Sequence, residues 1–184
     1  MSIGTSRRRL LTGMGAAALG LVAQSSLRSV AAALPTSPDR RLIFQSLHTG
    51  ERLETVYCSA LGYREEGLKE VAKVLRDHRT NDVHDIDPKL LDLLFGLRVA
   101  LRTDQPFQVI SGYRSPATNL KLASASSGVA KQSLHTRGMA IDIRVKEVPL
   151  TQLRDTAKEL ALGGVGFYPK DDFVHVDVGR VRAW

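Results

Sequence analysis

The chain has 184 residues and a formal net charge of +7, but this charge is unevenly distributed. Residues 1–33 contain four arginines and no acid, so the remaining residues have 22 basic and 19 acidic side chains, a net charge of +3. This small excess excludes the strongly basic surface typical of nucleic-acid-binding proteins, and the sequence has no glycine-rich phosphate loop. We therefore expect neither nucleic acid nor a nucleotide as a partner.

The N-terminus has the features of an export signal. Arg7-Arg8-Arg9 precede a weakly apolar run over residues 10–23, and Ala31-Ala32-Ala33 forms a small-residue cleavage site. Paired arginines with a short apolar region are typical of twin-arginine export, and the run is shorter than the roughly 20 residues of a spanning helix. We expect residues 1–33 to be a twin-arginine signal and the protein to be periplasmic, with membrane contact only through the signal. The alternative is a basic, disordered N-terminal arm.

One domain follows the signal. Residues 34–40 contain two prolines and predict a linker, and residues 41–184 are long enough for a single domain with a sizeable core. This domain begins with two predicted strands, 41–47 and 51–58, joined by a turn at His48-Thr49-Gly50.

Cys58 is the only cysteine of the chain, so an intramolecular disulfide is excluded. The stability of the domain must come from its core, together with any bound metal. Because Cys58 ends an apolar strand, we predict a small buried side chain and no lipid anchor.

The middle of the domain alternates between helices and strands. Apolar residues at helical spacing predict a helix from Tyr63 to Arg79. Two further helices are expected to begin at Asp87-Pro88 and at Ser115-Pro116, since each pair supplies an N-cap followed by proline at the first helical position. A short strand, 106–111, lies between them, and the helix that begins at Ser115 is expected to end near Ser124.

The last third of the chain completes an α+β pattern. The small, polar stretch 123–128 predicts a loop that borders a cleft, and a strand is predicted over 139–145. A helix over 150–162 is expected to end at Gly163-Gly164, and a hairpin follows over residues 165–178. Strands and helices that are intermixed, with hairpins at both ends, favour a mainly antiparallel sheet with helices packed on one face.

Two of these strands place a possible metal ligand opposite their apolar side chains. Alternation puts Asp142 on the other face from its neighbouring isoleucines and His175 on the other face from its neighbouring valines. If the strands are neighbours, these two side chains can converge on one cation with His135, and Gly138 allows the sharp turn that His135 requires. Two imidazoles and one carboxylate leave the fourth position of Zn²⁺ open, as in catalytic sites where bound water has a pKa of about 7. The alternative is a buried His–Asp hydrogen-bonded pair.

The sequence resembles a known family of zinc peptidases. Two segments, Ser133-x-His135-x-x-Gly138-x-Ala140-x-Asp142 and Phe173-Val174-His175-Val176-Asp177, are similar to the zinc motifs of the D-Ala-D-Ala-peptidase-like (LAS-type) metallopeptidases. Further segments are similar to the murein endopeptidase K-like family within that group: Leu47–Glu51, Ser111–Pro116, Gly163–Pro169 and the terminal Trp184. The resemblance implies a hedgehog/DD-peptidase-like fold, one zinc ion per chain, and hydrolysis of peptide cross-links in peptidoglycan outside the cytoplasm.

The resemblance also implies roles for individual residues. His135, Asp142 and His175 match the zinc ligands. Several LAS enzymes have an acid three residues before the second histidine, which makes Asp172 the first candidate for the carboxylate that accepts a proton from water. Asp177 shares the strand face of His175 and is the rival, and either acid could instead be solvated or hold His175 in place.

Arg114 is the candidate for substrate binding. It lies between a predicted strand and a predicted helix, and its planar guanidinium suits a carboxylate of the peptide substrate. The resemblance assigns a substrate-binding arginine to this motif, and the alternative is an ordinary surface arginine.

The same resemblance implies the reaction. It favours the 3-3 bond between two diaminopimelates, with the D-Ala–diaminopimelate bond as a second candidate. The alternatives are a zinc D-Ala-D-Ala carboxypeptidase and a noncatalytic peptidoglycan-binding module, although structural zinc sites are usually closed by four protein ligands.

Overall fold

The computed structural model describes residues 39–125 and 132–184. The predicted export signal, most of the predicted linker and the end of the predicted loop at 126–128 therefore lie outside the described residues. Within the described ranges, every helix is too short or too polar to cross a lipid bilayer.

The described part of the chain forms one eight-stranded sheet, in the order β3-β2-β1-β4-β5-β7-β6-β8. The strands are β1 Arg40–Ser46, β2 Arg52–Ser59, β3 Gly62–Tyr63, β4 Phe107–Ser111, β5 Ala140–Val145, β6 Gly164–Tyr168, β7 Phe173–Asp177 and β8 Arg182–Ala183. The pairs β1–β4 and β6–β8 are parallel, and every other neighbouring pair of this sheet is antiparallel. The predicted mainly antiparallel sheet is confirmed.

The helices of the described residues are α1 Glu65–Val74, α2 Pro88–Leu101, α3 Pro116–Ala125 and α4 Leu150–Leu160, with a short 3₁₀ helix at Leu134–Arg137. Helices α1, α2 and α4 cover one side of the sheet. Helix α1 packs on β2, α2 packs on β1, and α4 packs on β5, β6 and β7. The α+β class with helices on one face is therefore confirmed.

The hydrophobic core lies between the sheet and helices α1, α2 and α4. Phe44 of β1 and Phe107 of β4 pair in register, with ring centroids 6.3 Å apart. Ile141 and Val176, which face each other across β5 and β7, are completely buried on the same side. Burial of a side chain of this size contributes about 1.5–3 kcal/mol. Cys58 is buried, as predicted.

Two N-terminal helix signals are confirmed by their hydrogen bonds. Asp87 accepts a hydrogen bond from the backbone N–H of Lys89 at 2.9 Å, and Pro88 occupies the first turn of α2. Ser115 accepts one from the N–H of Thr118 at 3.2 Å before α3.

Three predicted boundaries differ from the structure. Arg40, the last residue of the predicted linker 34–40, belongs to β1 and forms an ion pair with Asp92 at 2.8 Å. Residues 123–125 of the predicted loop belong to α3. The predicted helix 63–79 is shorter at both ends: Tyr63 pairs with β2 in β3, and α1 ends at Val74.

Tertiary hydrogen bonds explain the early end of α1. The carbonyl of Leu75 accepts a hydrogen bond from the N–H of Tyr113 at 2.8 Å. The side chain of Asp77 accepts two more from Ser115, from its N–H at 2.9 Å and its hydroxyl at 2.8 Å. These distant partners replace the bonds that a longer helix would have made.

The predicted helix end at Gly163-Gly164 is also wrong. Helix α4 stops at Leu160, and Ala161, not a glycine, adopts the left-handed C-cap conformation with φ of 51°. The two glycines instead permit a close approach, because a Cβ at Gly163 would overlap the carbonyl oxygen of Asp177.

Candidate metal centre

A short 3₁₀ helix positions His135. The hydroxyl of Ser133 caps this helix by accepting a hydrogen bond from the N–H of His135 at 3.3 Å. Gly138 ends it in the left-handed conformation with φ of 65°, and a Cβ there would overlap the carbonyl oxygen of Asp85. The predicted sharp turn at Gly138 is confirmed, and it directs the His135 side chain into the protein, where it is buried.

The other two candidate ligands lie on adjacent strands. Strands β5 and β7 are antiparallel neighbours, and Asp142 is directly opposite His175. The isoleucines and valines that alternate with them point into the core. Both polar side chains therefore project from the opposite face of the sheet, as predicted, beneath the 3₁₀ helix.

Three ligand atoms converge at this point. Nε2 of His135 lies 3.2 Å from Oδ1 of Asp142 and 3.2 Å from Nδ1 of His175. Oδ1 of Asp142 and Nδ1 of His175 are 2.8 Å apart. Ligand bonds of about 2.0–2.2 Å in a tetrahedral zinc site separate neighbouring ligand atoms by about 3.3 Å. The spacing of the three side chains therefore fits a small divalent cation.

The second nitrogen of each histidine sets its tautomer. Nδ1–H of His135 donates to the carbonyl of Gly112 at 2.7 Å, and Nε2–H of His175 donates to Oδ2 of Asp177 at 3.0 Å. In the neutral rings, the nitrogens that face each other then carry lone pairs beside the carboxylate of Asp142. Three converging acceptors repel each other unless a cation or a proton lies between them, so the donor set fits a metal ligand set.

The charges of the site follow from burial and from these contacts. Burial lowers the pKa of His135, and the nearby Asp142 offsets this only in part. Burial raises the pKa of Asp142, but the two imidazoles outweigh it and hold this pKa far below its usual range. Burial lowers the pKa of His175, but its hydrogen bonds to Asp142 and Asp177 outweigh burial, so the net pKa is raised. The site thus retains one carboxylate anion and attracts a positive charge.

Arg114 lies beside the ligand set. Its Nε–H donates to the hydroxyl of Ser111 at 2.7 Å, and Nη2 forms an ion pair with Oδ2 of Asp142. The backbone N–H of Arg114 donates to the carbonyl of His135 at 3.2 Å. Asp142 therefore directs one oxygen to the ligand set and the other to a guanidinium, and Arg114 is held next to any group that binds there.

A cavity of ≈ 170 Å³ opens onto the three ligands. Arg114 forms part of its wall, and three aromatic side chains, Tyr168, Phe173 and Trp184, form another part. Tyr168 and Phe173 stack with ring centroids 4.6 Å apart, and the indole N–H of Trp184 donates to the Tyr168 hydroxyl at 2.8 Å. The cavity thus combines a charged side with an aromatic side.

The two candidate acids occupy different positions. Asp172 lies in the turn before β7 with φ of 57°, more than half of its side chain is exposed, and it forms an ion pair with Arg144. Asp177 is completely buried and accepts hydrogen bonds from His175 and Arg182. Burial raises the pKa of Asp177, but these two partners outweigh it and the net pKa is lowered. Asp177 lies behind His175, on the side away from the other ligands.

Sequence reasoning missed Arg182. This residue lies on β8, two residues from the C-terminus, and its guanidinium contacts both oxygens of Asp177. A basic residue close to the end of an exposed segment has no local signature of such a role. Only the pairing of β8 with β6 brings it to the site.

Two kinds of comparison relate this chain to known proteins. Residues 34–184 match the family model described as "Peptidoglycan L,D-endopeptidase MepK". The chain is 40% identical over 179 residues to the peptidoglycan L,D-endopeptidase MepK of Escherichia coli strain K12, covering 97% of each chain. It is also 40% identical over 180 residues to the probable peptidoglycan L,D-endopeptidase MepK of Haemophilus influenzae, covering 97% of this chain and 95% of the relative.

Proposed function

Because this chain belongs to the peptidoglycan L,D-endopeptidase MepK family, we propose that it hydrolyses peptide cross-links of peptidoglycan with a single zinc ion. His135, Asp142 and His175 would hold the ion through Nε2, Oδ1 and Nδ1. The observation that carries this proposal is the convergence of these three atoms within 4.8 Å of one another at the base of a cavity. Zinc bound there would polarise the scissile carbonyl and lower the pKa of a water molecule to about 7.

The name of the family supports the choice of bond. We propose the L,D bond of the 3-3 cross-link between two diaminopimelates, with the D-Ala–diaminopimelate bond as the second candidate. The aromatic wall of Tyr168, Phe173 and Trp184 offers apolar area for the aliphatic part of a diaminopimelate side chain. The charged wall offers a partner for its carboxylate.

Arg114 supplies that partner. Its contacts with Ser111 and Asp142 hold the guanidinium in a fixed orientation at the cavity. A planar guanidinium binds a carboxylate with good geometry. We propose that Arg114 orients the substrate through a free carboxylate of the peptide next to the scissile bond.

The proton acceptor is proposed from the positions of the two acids. Asp177 uses its oxygens to hold His175 and Arg182, so it suits the orientation of a ligand. Asp172 is exposed, and its partner Arg144 lies two residues after Asp142 on the same strand face. We propose Asp172 as the group that takes a proton from water and passes it to the leaving amine, a contribution of about 10²–10⁴-fold.

Replacement of each acid by its amide separates these roles. Asp172→Asn should lower kcat by about 10²-fold or more with unchanged zinc affinity. Asp177→Asn should weaken zinc binding. A loss of kcat in Asp177→Asn with full zinc binding would reverse the assignment.

The central experiment is digestion of defined dimeric muropeptides by the purified protein, before and after removal of zinc. We expect release of monomers, loss of this activity with a chelator, and recovery with added zinc. Activity that persists after metal analysis shows no zinc would contradict the proposal. Release of alanine without monomers would instead identify a carboxypeptidase.

Replacement of one proposed zinc ligand distinguishes a catalytic metal from a structural metal. His135→Ala should remain folded and bind sacculi, but its activity should fall to that of the metal-free protein. His48→Ala, which removes an exposed imidazole from the β1–β2 turn, is the matched control and should retain activity. Loss of folding and wall binding together in His135→Ala would favour a noncatalytic module with a structural metal.

A further inference from the structure

The carboxylate of Asp177 is enclosed by hydrogen-bond donors. Oδ1 accepts from the N–H of Gly164 at 3.2 Å, the N–H of Gly179 at 2.8 Å and Nη1 of Arg182 at 3.0 Å. Oδ2 accepts from Nη2 of Arg182 at 2.7 Å and from Nε2–H of His175 at 3.0 Å. Arg182 is thus bidentate on a fully buried carboxylate, which is the strongest and most directional ion-pair geometry available to arginine.

The glycine-rich strand β6 makes room for this ion pair. A Cβ at Gly164 would overlap both the guanidinium of Arg182 and the carboxylate of Asp177. A Cβ at Gly166 would lie 2.8 Å from ring atoms of Trp184. A side chain at either position would occupy the space that Arg182 or Trp184 fills. The two residues therefore explain the Gly-x-Gly spacing of β6.

The C-terminus is fixed so that Arg182 can reach Asp177. Strand β8 pairs with β6, and the N–H of Trp184 donates to the carbonyl of Val165 at 3.2 Å. The carbonyl of Trp184 accepts from the N–H of Phe167 at 3.0 Å, and the guanidinium carbon of Arg182 lies 4.7 Å from the centre of the indole ring. The side chain of Arg182 is therefore held on both sides, by a carboxylate and by an aromatic ring.

We propose that Arg182 is a positioning residue of the zinc site, which fixes the carboxylate of Asp177 and through it the ring of His175. With this carboxylate held, Nε2 of His175 donates to Asp177 and Nδ1 is directed toward the other two ligands. Without Arg182, a buried anion loses its only bidentate partner among the described residues, and the imidazole loses its fixed orientation. This inference rests on the proposed function, because it assumes that His175 binds zinc.

Zinc affinity, measured by competition with a chromophoric chelator, tests the inference independently of catalysis. Mutation of residues that orient metal ligands lowers metal affinity by about 10–100-fold. We expect about 10-fold weaker binding for Arg182→Ala and about 10–100-fold for Asp177→Asn, and a smaller loss for Arg182→Lys. The absorption spectrum of the Co²⁺-substituted protein should change in the same variants, since it reports the ligand geometry.

Two further variants make the test specific. Because Arg182 acts through Asp177, Arg182→Ala should weaken zinc binding by less than about 3-fold in the Asp177→Asn background, a non-additive result. Arg180→Ala removes the same charge from an exposed neighbour whose carbonyl contacts Arg182, and it should bind zinc like the unaltered protein.

The outcomes separate this inference from the proposed function. A folded Arg182→Ala variant with unchanged zinc affinity, or an effect that adds fully to that of Asp177→Asn, would overturn the role of Arg182. If Arg182→Ala does not fold by circular dichroism, Arg182→Lys decides, and unchanged affinity and Co²⁺ spectrum in that variant overturn the role. If the unaltered protein fails to bind zinc, the proposed function itself fails.

Discussion

At the scale of residues, the proposed ligand set is organised by the atoms that face away from the proposed metal position. His135 is oriented by a backbone carbonyl, His175 by a carboxylate, and Asp142 by a guanidinium. The two histidines present different nitrogens to this position. The partner of His135 occupies its Nδ1 and leaves Nε2, whereas the partner of His175 occupies its Nε2 and leaves Nδ1. Such partners fix both the tautomer and the ring orientation of a metal ligand.

The raised pKa of His175 predicts a pH dependence of zinc binding. A proton on Nδ1 occupies the lone pair that the ion needs, so proton and zinc compete. Because the folded-state pKa lies above the ordinary value near 6.5, zinc affinity should still rise with pH above 6.5 and level off above the raised pKa. The slope below that pKa should approach about 10-fold per pH unit. Chelator competition between pH 6 and 9 measures it, and an affinity independent of pH in this range would contradict the prediction.

At the scale of elements, Asp77 connects the end of α1 with the segment that carries Arg114. Its side chain accepts hydrogen bonds from the N–H of Arg79 at 3.0 Å and from the N–H and hydroxyl of Ser115. Burial raises the pKa of Asp77, but hydrogen bonds from Thr118, Arg79 and Ser115 outweigh it, so the net pKa is well below its usual range. The carboxylate is therefore an ionised structural bridge.

Replacement of Asp77 by alanine should be strongly destabilising. It leaves the buried donors of Ser115 without this acceptor, at a cost of about 2–3 kcal/mol in the free energy of unfolding at pH 7. Urea denaturation measures the loss. The control is Asp82→Ala at an exposed position, which should change the free energy of unfolding by less than about 0.5 kcal/mol. Because the folded-state pKa is lowered, the contribution is complete above about pH 4 and is lost as pH falls further, so the two proteins should converge in acid. An equal difference at pH 7 and pH 2.5 would contradict this explanation.

The left-handed end of α4 offers a stabilising substitution. Ala161 has φ of 51° and ψ of 34°, a conformation that costs a residue with a Cβ about 1 kcal/mol relative to glycine. Ala161→Gly should therefore raise the free energy of unfolding by roughly 0.5–1 kcal/mol in urea denaturation. Lys158→Gly, at an exposed position inside the same helix, is the control and should lower it by about 1 kcal/mol. Destabilisation by both substitutions would show that the Ala161 methyl group makes a compensating contact.

At the scale of the whole molecule, the sheet brings distant segments to one face. The three candidate ligands come from a 3₁₀ helix and two strands, Arg114 comes from the segment after β4, and Arg182 comes from the last strand. Helices α1, α2 and α4 cover the opposite face and hold the core, so the polar face of β5 and β7 is available for the candidate site. This division lets one set of side chains stabilise the fold, while the set on the opposite face forms the candidate site.

The N-terminal pattern predicts the location of the folded domain. We propose that residues 1–33 direct export by the twin-arginine route, which carries folded proteins to the compartment that contains peptidoglycan. Replacement of Arg7, Arg8 and Arg9 by lysine should leave the protein in the cytoplasmic fraction, while replacement of Arg28 by lysine, after the apolar run, should not. Normal export of the triple variant, measured by cell fractionation, would contradict the twin-arginine assignment.

Local patterns of the sequence are sufficient to predict the class of fold and the face of the sheet that carries the candidate site. Period-two alternation placed Asp142 and His175 opposite the core side chains, Asp87-Pro88 marked the start of α2, and Gly138 marked a turn. Each of these features depends on a few consecutive residues, since strand alternation, capping and left-handed turns are properties of the local backbone.

Contacts between distant segments decided the rest. Helix α1 ends early because Asp77 and Leu75 bond to the segment at 113–115, and Gly163 serves a close approach of strands instead of a helix cap. The pairing of β8 with β6 placed Arg182 on Asp177, which directed that acid to His175. A hydrogen-bond partner or a tautomer depends on which atoms the folded chain brings within about 3 Å, and this information is absent from the spacing of residues along the sequence.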